Sequence, residues 1–405
     1  MQRNLKVNID QSTWPGTGMQ PSFPSTFTNG QSTYALNIPA MLLEIGYLTT
    51  PTSSTGVSLS EFWAWVRYLA AIAKQSDLSL TQSFSELDAH QKTILSDDFG
   101  MGVPILWLND KLSLAQVVDG RYFMQRIAAS LGAAQARTAK RGPNKTPDFV
   151  AKDAAGMWHV IECKGTQSGS ATSLKQLGVK GPPPEGGVAQ KLSIQFPAGH
   201  TGQRLVCGLS IDVEGGTGSV LKIIDPKPRK PFVLGEEQMN LAQDAANRGV
   251  MARALRMSGF EVTAESVASP FGSRPEDKPA RTAKAESARK KVTEERDRRS
   301  REEIRGVIST GQSFDGDFLG RETVVVLPRE IAVDGQSVRR VVIRQGVNRE
   351  ALEELEQQPS VEVLADQESD VKWTSRMGKS IVKGQGRAAT MRIGSIFRLD
   401  VDLET

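Results

Sequence analysis

Thiols and imidazoles are scarce in this chain. Cys163 and Cys207 are the only cysteines among 405 residues, and the three histidines, His90, His159 and His200, have no ligand-like spacing. Neither a disulfide scaffold nor a Cys/His zinc site is expected. Long apolar runs are missing too: residues 62–73, broken by Arg67, and 103–108 fall far short of the roughly 20 residues a bilayer-crossing helix requires. The chain does not open with a basic run, an apolar block and a small-residue cleavage site, which argues against a secretory signal and for a cytoplasmic location. Charge of neither sign is in large excess, and a net +4 suits a polyanionic partner without requiring one. What is present, 39% apolar and 24% charged residues, is the composition of an ordinary globular protein, long enough for two or three domains.

Residues 1–35 are rich in Ser, Thr, Gly, Pro and Gln and poor in charge, which predicts an irregular arm. Ser60 as an N-cap before residues 61–75, and Phe84, Leu87, Ile94 and Leu95 over 84–95, predict two helices. Ser96-Asp97-Asp98-Phe99-Gly100-Met101-Gly102 reads as a turn whose paired aspartates could hold a metal but more simply cap it, with a buried strand or short helix over 103–108. From Leu114 to Leu131 apolar residues recur at helical spacing and stop at Gly132, predicting one helix. Strands are expected at 148–152 and 157–164, joined into a hairpin by Asp153-Ala154-Ala155-Gly156, and again at 204–214 and 220–224. Residues 165–187 read as loop and 236–257 as helix.

Residues 273–305 carry 12 Lys or Arg against 8 Asp or Glu and few large apolar side chains, the pattern of a linker or exposed helix. Beyond them, 323–327, 338–343, 360–364 and 395–401 read as strands and 349–356 as a helix. The expected organisation is an N-terminal arm and helical region (1–110), a central α/β unit (111–268), a charged linker (269–305) and a small C-terminal α/β or mostly-β domain (306–405).

Chemistry concentrates on the central hairpin. Pro147-Asp148 is followed, after thirteen residues, by Glu162-Cys163-Lys164. Side chains alternate along a strand, so Glu162 and Lys164 share one face while His159, Ile161 and Cys163 share the other. His159 and Cys163 are therefore read as packing residues, and no histidine is placed to act as a base for the thiol.

This pattern resembles the PD-(D/E)xK nuclease superfamily, with an aspartate at the start of one strand and Glu-x-Lys on its neighbour. The resemblance spans about residues 114–225. It implies a restriction-endonuclease-like α/β core, a mixed sheet flanked by helices, and metal-dependent hydrolysis of phosphodiesters, with DNA as the expected substrate. Such hydrolysis places a divalent cation against a phosphate oxygen and lowers the pKa of an attacking water. Two carboxylates and a carbonyl are hard oxygen ligands suited to magnesium or manganese, and a nearby ammonium can orient water or offset developing charge. Asp148, Glu162 and the carbonyl of Cys163 are the metal ligands that the resemblance implies, and Lys164 the stabilising or activating group.

The resemblance also implies an acidic helix before the aspartate and a polar helix or loop after the lysine. The helix predicted over 114–131 offers Asp119 and Gln125 where a glutamate facing the site is expected, which leaves a fourth acidic ligand open. Gln190 is the candidate for contact with the scissile phosphate, with Lys191 second. Lys140, Arg141 and Lys145, just ahead of the signature, could guide a strand into it. A second basic stretch, between Val371 and Leu399, has seven cationic residues and no acidic one, and Arg376, Lys379, Lys383 and Arg387 within it are candidates to grip a phosphate backbone. Met377-Gly378-Lys379-Ser380 looks like the end of a phosphate-binding loop, but Trp373 stands where its first glycine is needed, so nucleotide hydrolysis is not expected. The sequence thus points to a magnesium-dependent nuclease without a membrane role, serving restriction or phage defence as a homodimer or with a defence-complex partner. The alternative is an inactive nuclease-like module that binds nucleic acid or scaffolds a complex.

Overall fold

The computed structural model describes all residues except 17, 53–62, 132–145, 179–193, 227–230, 270–281, 311–312, 334, 362–363 and 366–370. Residues 1–35 are not an arm. Strands β1 (Gln2–Ile9) and β2 (Gly30–Asn37) pair antiparallel, with Leu5, Val7 and Ile9 buried at every second position. Lys6 and Asn8 between them disguise a period-2 pattern that average composition hides. Asn37 then caps helix α1 (Ile38–Thr49), accepting the Ala40 N–H, and α1 is buried almost throughout. Of the helix expected at 61–75, residues 61–62 lie outside the described residues, and the rest is an irregular turn at Trp63–Arg67 and a 3-10 turn at Leu69–Ala71.

After the short helix α2 (Gln82–Ser85), Asp88 caps α3 (Ala89–Leu112) by accepting the N–H groups of His90 and Gln91. The turn expected at 96–102 is therefore interior helix. Its glycines serve close packing instead of a bend: a Cβ on Gly102 would come within 2.3 Å of Ile45 of α1. The single helix expected at 114–131 divides into β3 (Leu114–Asp119) and α4 (Gly120–Ser130). Val117 and Val118 join a ladder with Ala151 and Val150, and Asp119 ends the strand by accepting the Tyr122 N–H at 2.7 Å. Tertiary pairing overrode a run whose apolar spacing fitted either element.

The expected hairpin is present as β4 (Phe149–Asp153) and β5 (Trp158–Thr166), followed by α5 (Gly169–Gln176) inside the stretch expected as loop. Next come β6 (Ile194–Gln195), β7 (Thr201–Ser210), β8 (Val220–Ile224) and β9 (Phe232–Val233), then α6 (Met239–Met257), α7 (Glu261–Ala268) and α8 (Ala283–Thr310). Helix α8 takes up most of the charged stretch. The chain continues through β10 (Ser313–Phe314), β11 (Phe318–Val333), β12 (Gln336–Asn348), α9 (Arg349–Gln357), β13 (Ser380–Gln385), β14 (Ala388–Ile393) and β15 (Phe397–Glu404). The strand expected at 360–364 falls partly outside the described residues, and its described residues form none.

The architecture is mixed α/β. A seven-stranded sheet runs β2-β1-β8-β7-β5-β4-β3, parallel at β1/β8 and β5/β7 and antiparallel elsewhere. A six-stranded antiparallel sheet runs β10-β11-β12-β15-β14-β13. Buried side chains from both sheets form one continuous core. Helix α6 lies deep within it and carries Asp244 between the guanidiniums of Arg126 and Arg248, at 2.9 and 2.6 Å. Burial opposes the Asp244 charge, but the two cations outweigh it and hold the carboxyl below its ordinary range. Among the described residues, no helix is long and apolar enough to cross a membrane.

Candidate active site

The signature sits where β4 begins and β5 ends. Strand β5 is buried on both faces along most of its length, and β4 and β7 flank it. Phe149 pairs with Ile161, so Asp148 lies just before the ladder, beside the Glu162–Lys164 segment. The Asp148 N–H donates to Glu162 Oε2 at 3.2 Å, and the Cys163 N–H donates to Asp148 Oδ2 at 2.8 Å. The Lys164 ammonium lies 3.6 Å from Asp148 Oδ2 and against Glu162 Oε1. Asp148, Glu162 and Lys164 are thus in mutual contact.

Glu162 is fully buried, whereas the side chains of Asp148 and Lys164 retain 28% and 24% exposure, so the cluster opens to solvent on the aspartate and lysine side. Burial, reinforced by the Asp148 charge, pushes the Glu162 carboxyl up to about 9 against the pull of Lys164. Burial also raises Asp148, with Lys164 acting the other way. For Lys164 burial opposes the charge, but Asp148 and Glu162 outweigh it and hold the ammonium above its usual value.

Helix α3 brings in a residue that sequence reasoning read as a turn cap. Asp97 is raised by burial, and its charge interacts with Lys164 and Asp148. Asp119 is the N-cap of α4, accepting the Tyr122 N–H, and Gln125 lies further along that helix. The sequence did show the Asp97-Asp98 pair as able to hold a metal; only its place on a helix was hidden. Gln167 fixes this helix to the end of β5, donating from Nε2 to Lys92 O at 3.3 Å and Ser96 Oγ at 3.2 Å. The backbones touch directly: a Cβ on Gly100 would come within 2.5 Å of Gly165 N, and one on Gly165 within 1.7 Å of Ser96 O.

Hard-metal ligation fits these groups. Glu162 Oε1 is buried and takes the Lys164 ammonium as its partner. In an extended strand a residue's N–H and C=O point to the same edge. The Cys163 carbonyl therefore faces the Asp148 side, where continued register sets Pro147, which has no N–H to donate. Two carboxylates and a carbonyl, completed by water, match magnesium, which keeps several waters. Among the described residues no three His, Cys, Asp or Glu side chains are grouped closely enough to hold an ion by themselves.

The remaining candidates divide. His159 is structural: Nδ1 accepts the Gln203 N–H at 2.9 Å, which leaves the proton on Nε2, 3.1 Å from Asp153. Burial pushes the Cys163 thiol well up, as expected of a packing residue. Lys140, Arg141, Lys145, Gln190 and Lys191 lie outside the described residues. Arg376, Lys379, Lys383 and Arg387 belong to the second sheet and the turn leading into it, not to the sheet that carries the signature; Arg376 is paired with Glu350, while Lys379 and Lys383 are exposed. Much of the basic stretch is the β13–β14 hairpin, and Arg392 and Arg398 in it pair with Asp315.

Scans against protein-family models, curated proteins and solved structures each found no match.

Proposed function

We propose that this protein is a metal-dependent nuclease of the PD-(D/E)xK type that hydrolyses phosphodiester bonds in DNA. The observation that carries the reading is the contact of Lys164 with both Asp148 and Glu162 around a fully buried glutamate. Two neighbouring acids, one of them fully buried, with a single ammonium between them form a site whose remaining negative charge a divalent cation would neutralise. The succession of an acidic helix (α3, with Asp97), the β4–β5 hairpin and a polar helix (α5) supports a restriction-endonuclease-like core.

Asp148, Glu162 and the Cys163 carbonyl would hold magnesium or manganese. When bound, the ion supplies Lewis-acid polarisation of the phosphate and an acidified water. Lys164, whose ammonium lies between Asp148 and Glu162, would hold the attacking water or offset charge on the phosphate oxygens. Asp97 on α3 interacts electrostatically with Lys164 and Asp148 and would help to order the ligands.

The test is cleavage of plasmid, linear duplex, single-stranded DNA and RNA in magnesium, manganese or chelator, by wild type and Asp148→Asn. Metal-dependent cutting that disappears in chelator and in the variant is the expected result. Binding without cutting under every condition would overturn it in favour of the inactive module. Asp97→Asn is expected to raise the magnesium concentration for half-maximal cleavage by about 10-fold or more while maximal cleavage persists, as for groups that order a metal's first ligands. A magnesium titration identical to wild type would remove Asp97 from the site.

A further inference from the structure

A concavity is lined by chain neighbours of residues at the signature. It has a volume of about 540 Å³ and lies between the end of α1, the residues after it, α3 and the end of β3. Two of its lining residues adjoin residues that interact with the cluster. Asp98 lines it from α3, one residue after Asp97 and so about 100° further round the helix. Asp119 lines it from β3, next to Gly120, whose N–H donates to Asp148 O at 2.9 Å.

Its lining is amphipathic. Leu48, Pro51 and Met101 supply apolar surface. Arg253 is buried and tied by hydrogen bonds to Thr50 O, Val117 O and Thr52 Oγ1, and Tyr68 donates its hydroxyl to Asp98. Two guanidiniums, Arg67 and Arg253, are balanced by two carboxyls, Asp98 and Asp119, so the pocket has no net positive charge to draw in a phosphate. A neutral flat ring edged with both donors and acceptors suits them, and the volume is in the range of small-molecule sites.

We propose that this pocket receives a nucleobase next to the scissile phosphate, so that the substrate strand is unstacked when cut. The proposal rests on the nuclease reading. Apolar walls with polar groups at the base's edge are how flipped bases are held, and removing a base from its stack costs least in a single strand or a mismatch. The protein would therefore favour single-stranded or locally unpaired DNA over a perfect duplex.

The test is an abasic scan. A labelled single-stranded oligodeoxynucleotide and versions lacking one base at each position are bound to the full-length protein in chelator, with cleavage in magnesium measured in parallel. Loss of one particular base is expected to weaken binding about 10-fold, the usual scale of one base contact. Met101→Trp, which fills the pocket, is expected to flatten the scan. Asp98→Asn, which keeps its volume, is expected to change which base is preferred at that position. A flat scan with wild type that still cuts would overturn the pocket and leave the nuclease. A position-dependent scan without cutting would support the pocket and remove the catalysis. Neither binding nor cutting would overturn both.

Discussion

Glu162→Gln is expected to reduce cleavage about a thousandfold and, at the same time, to make the metal-free protein harder to unfold at pH 8. The loss follows from removing a charged ligand whose metal supplies several kcal/mol to the transition state. The gain follows from burial. In the folded chain the Glu162 carboxyl is raised to about 9, whereas in the unfolded chain it has its ordinary value near 4.5. Between those values the folded state binds the extra proton, so stability is full below the lower value and falls as pH rises toward the upper one. Glutamine has the same shape and no charge to bury, so that slope should vanish. Urea unfolding midpoints at pH 6 and pH 8 in chelator decide the matter: a variant less stable than wild type at pH 8 would contradict a glutamate that burial keeps neutral. Magnesium acts with the opposite sign, because its ligand must lose the proton; it should stabilise wild type more at pH 8 than at pH 6 and leave the variant unchanged.

Lys164→Ala should separate binding from catalysis. The ammonium lies against Glu162 Oε1 and 3.6 Å from Asp148 Oδ2, where it competes with a metal for both oxygens. Its removal is expected to leave manganese affinity equal or tighter by calorimetry while cleavage falls about 10²- to 10³-fold, the effect of losing one preorganised charge-stabilising group. In chelator at pH 8 the variant should lose roughly 2 kcal/mol, since Asp148 is left without its counter-ion and buried Glu162 without its hydrogen-bond partner; the partial exposure of Lys164 keeps this below the cost of breaking a fully buried pair. Glu162→Gln and Lys164→Ala thus move stability in opposite directions while both abolish cutting, a pair of signs that general damage to the fold would not produce. Manganese binding lost together with cleavage would instead make Lys164 a scaffold for the ligands.

The hairpin was legible because Asp148, Glu162 and Lys164 stand at a recognisable spacing around short apolar, β-favouring runs joined by a turn. Their mutual contact follows once β4 and β5 pair in register. Asp97 was not legible as part of the cluster, because Asp-Asp and two glycines within seven residues carry strong local turn preferences. Only packing against α1 and β5 gives those glycines a reason to lie within a helix. The same inversion occurs at β1, where polar residues alternate with Leu5, Val7 and Ile9. In each case long-range pairing supplied what local composition withheld.

Gly100 and Gly165 meet backbone to backbone, so neither can gain a side chain without moving α3 away from β5. Divergent copies of this protein should therefore change these two positions in concert or not at all, giving an evolutionary covariation between residues 65 positions apart. Asp97 stands one turn before Gly100, and Lys164 immediately precedes Gly165. The pattern to seek in distant kin is consequently a longer one than the hairpin alone: Asp, two residues, Gly, later Pro-Asp, then Glu-x-Lys-Gly.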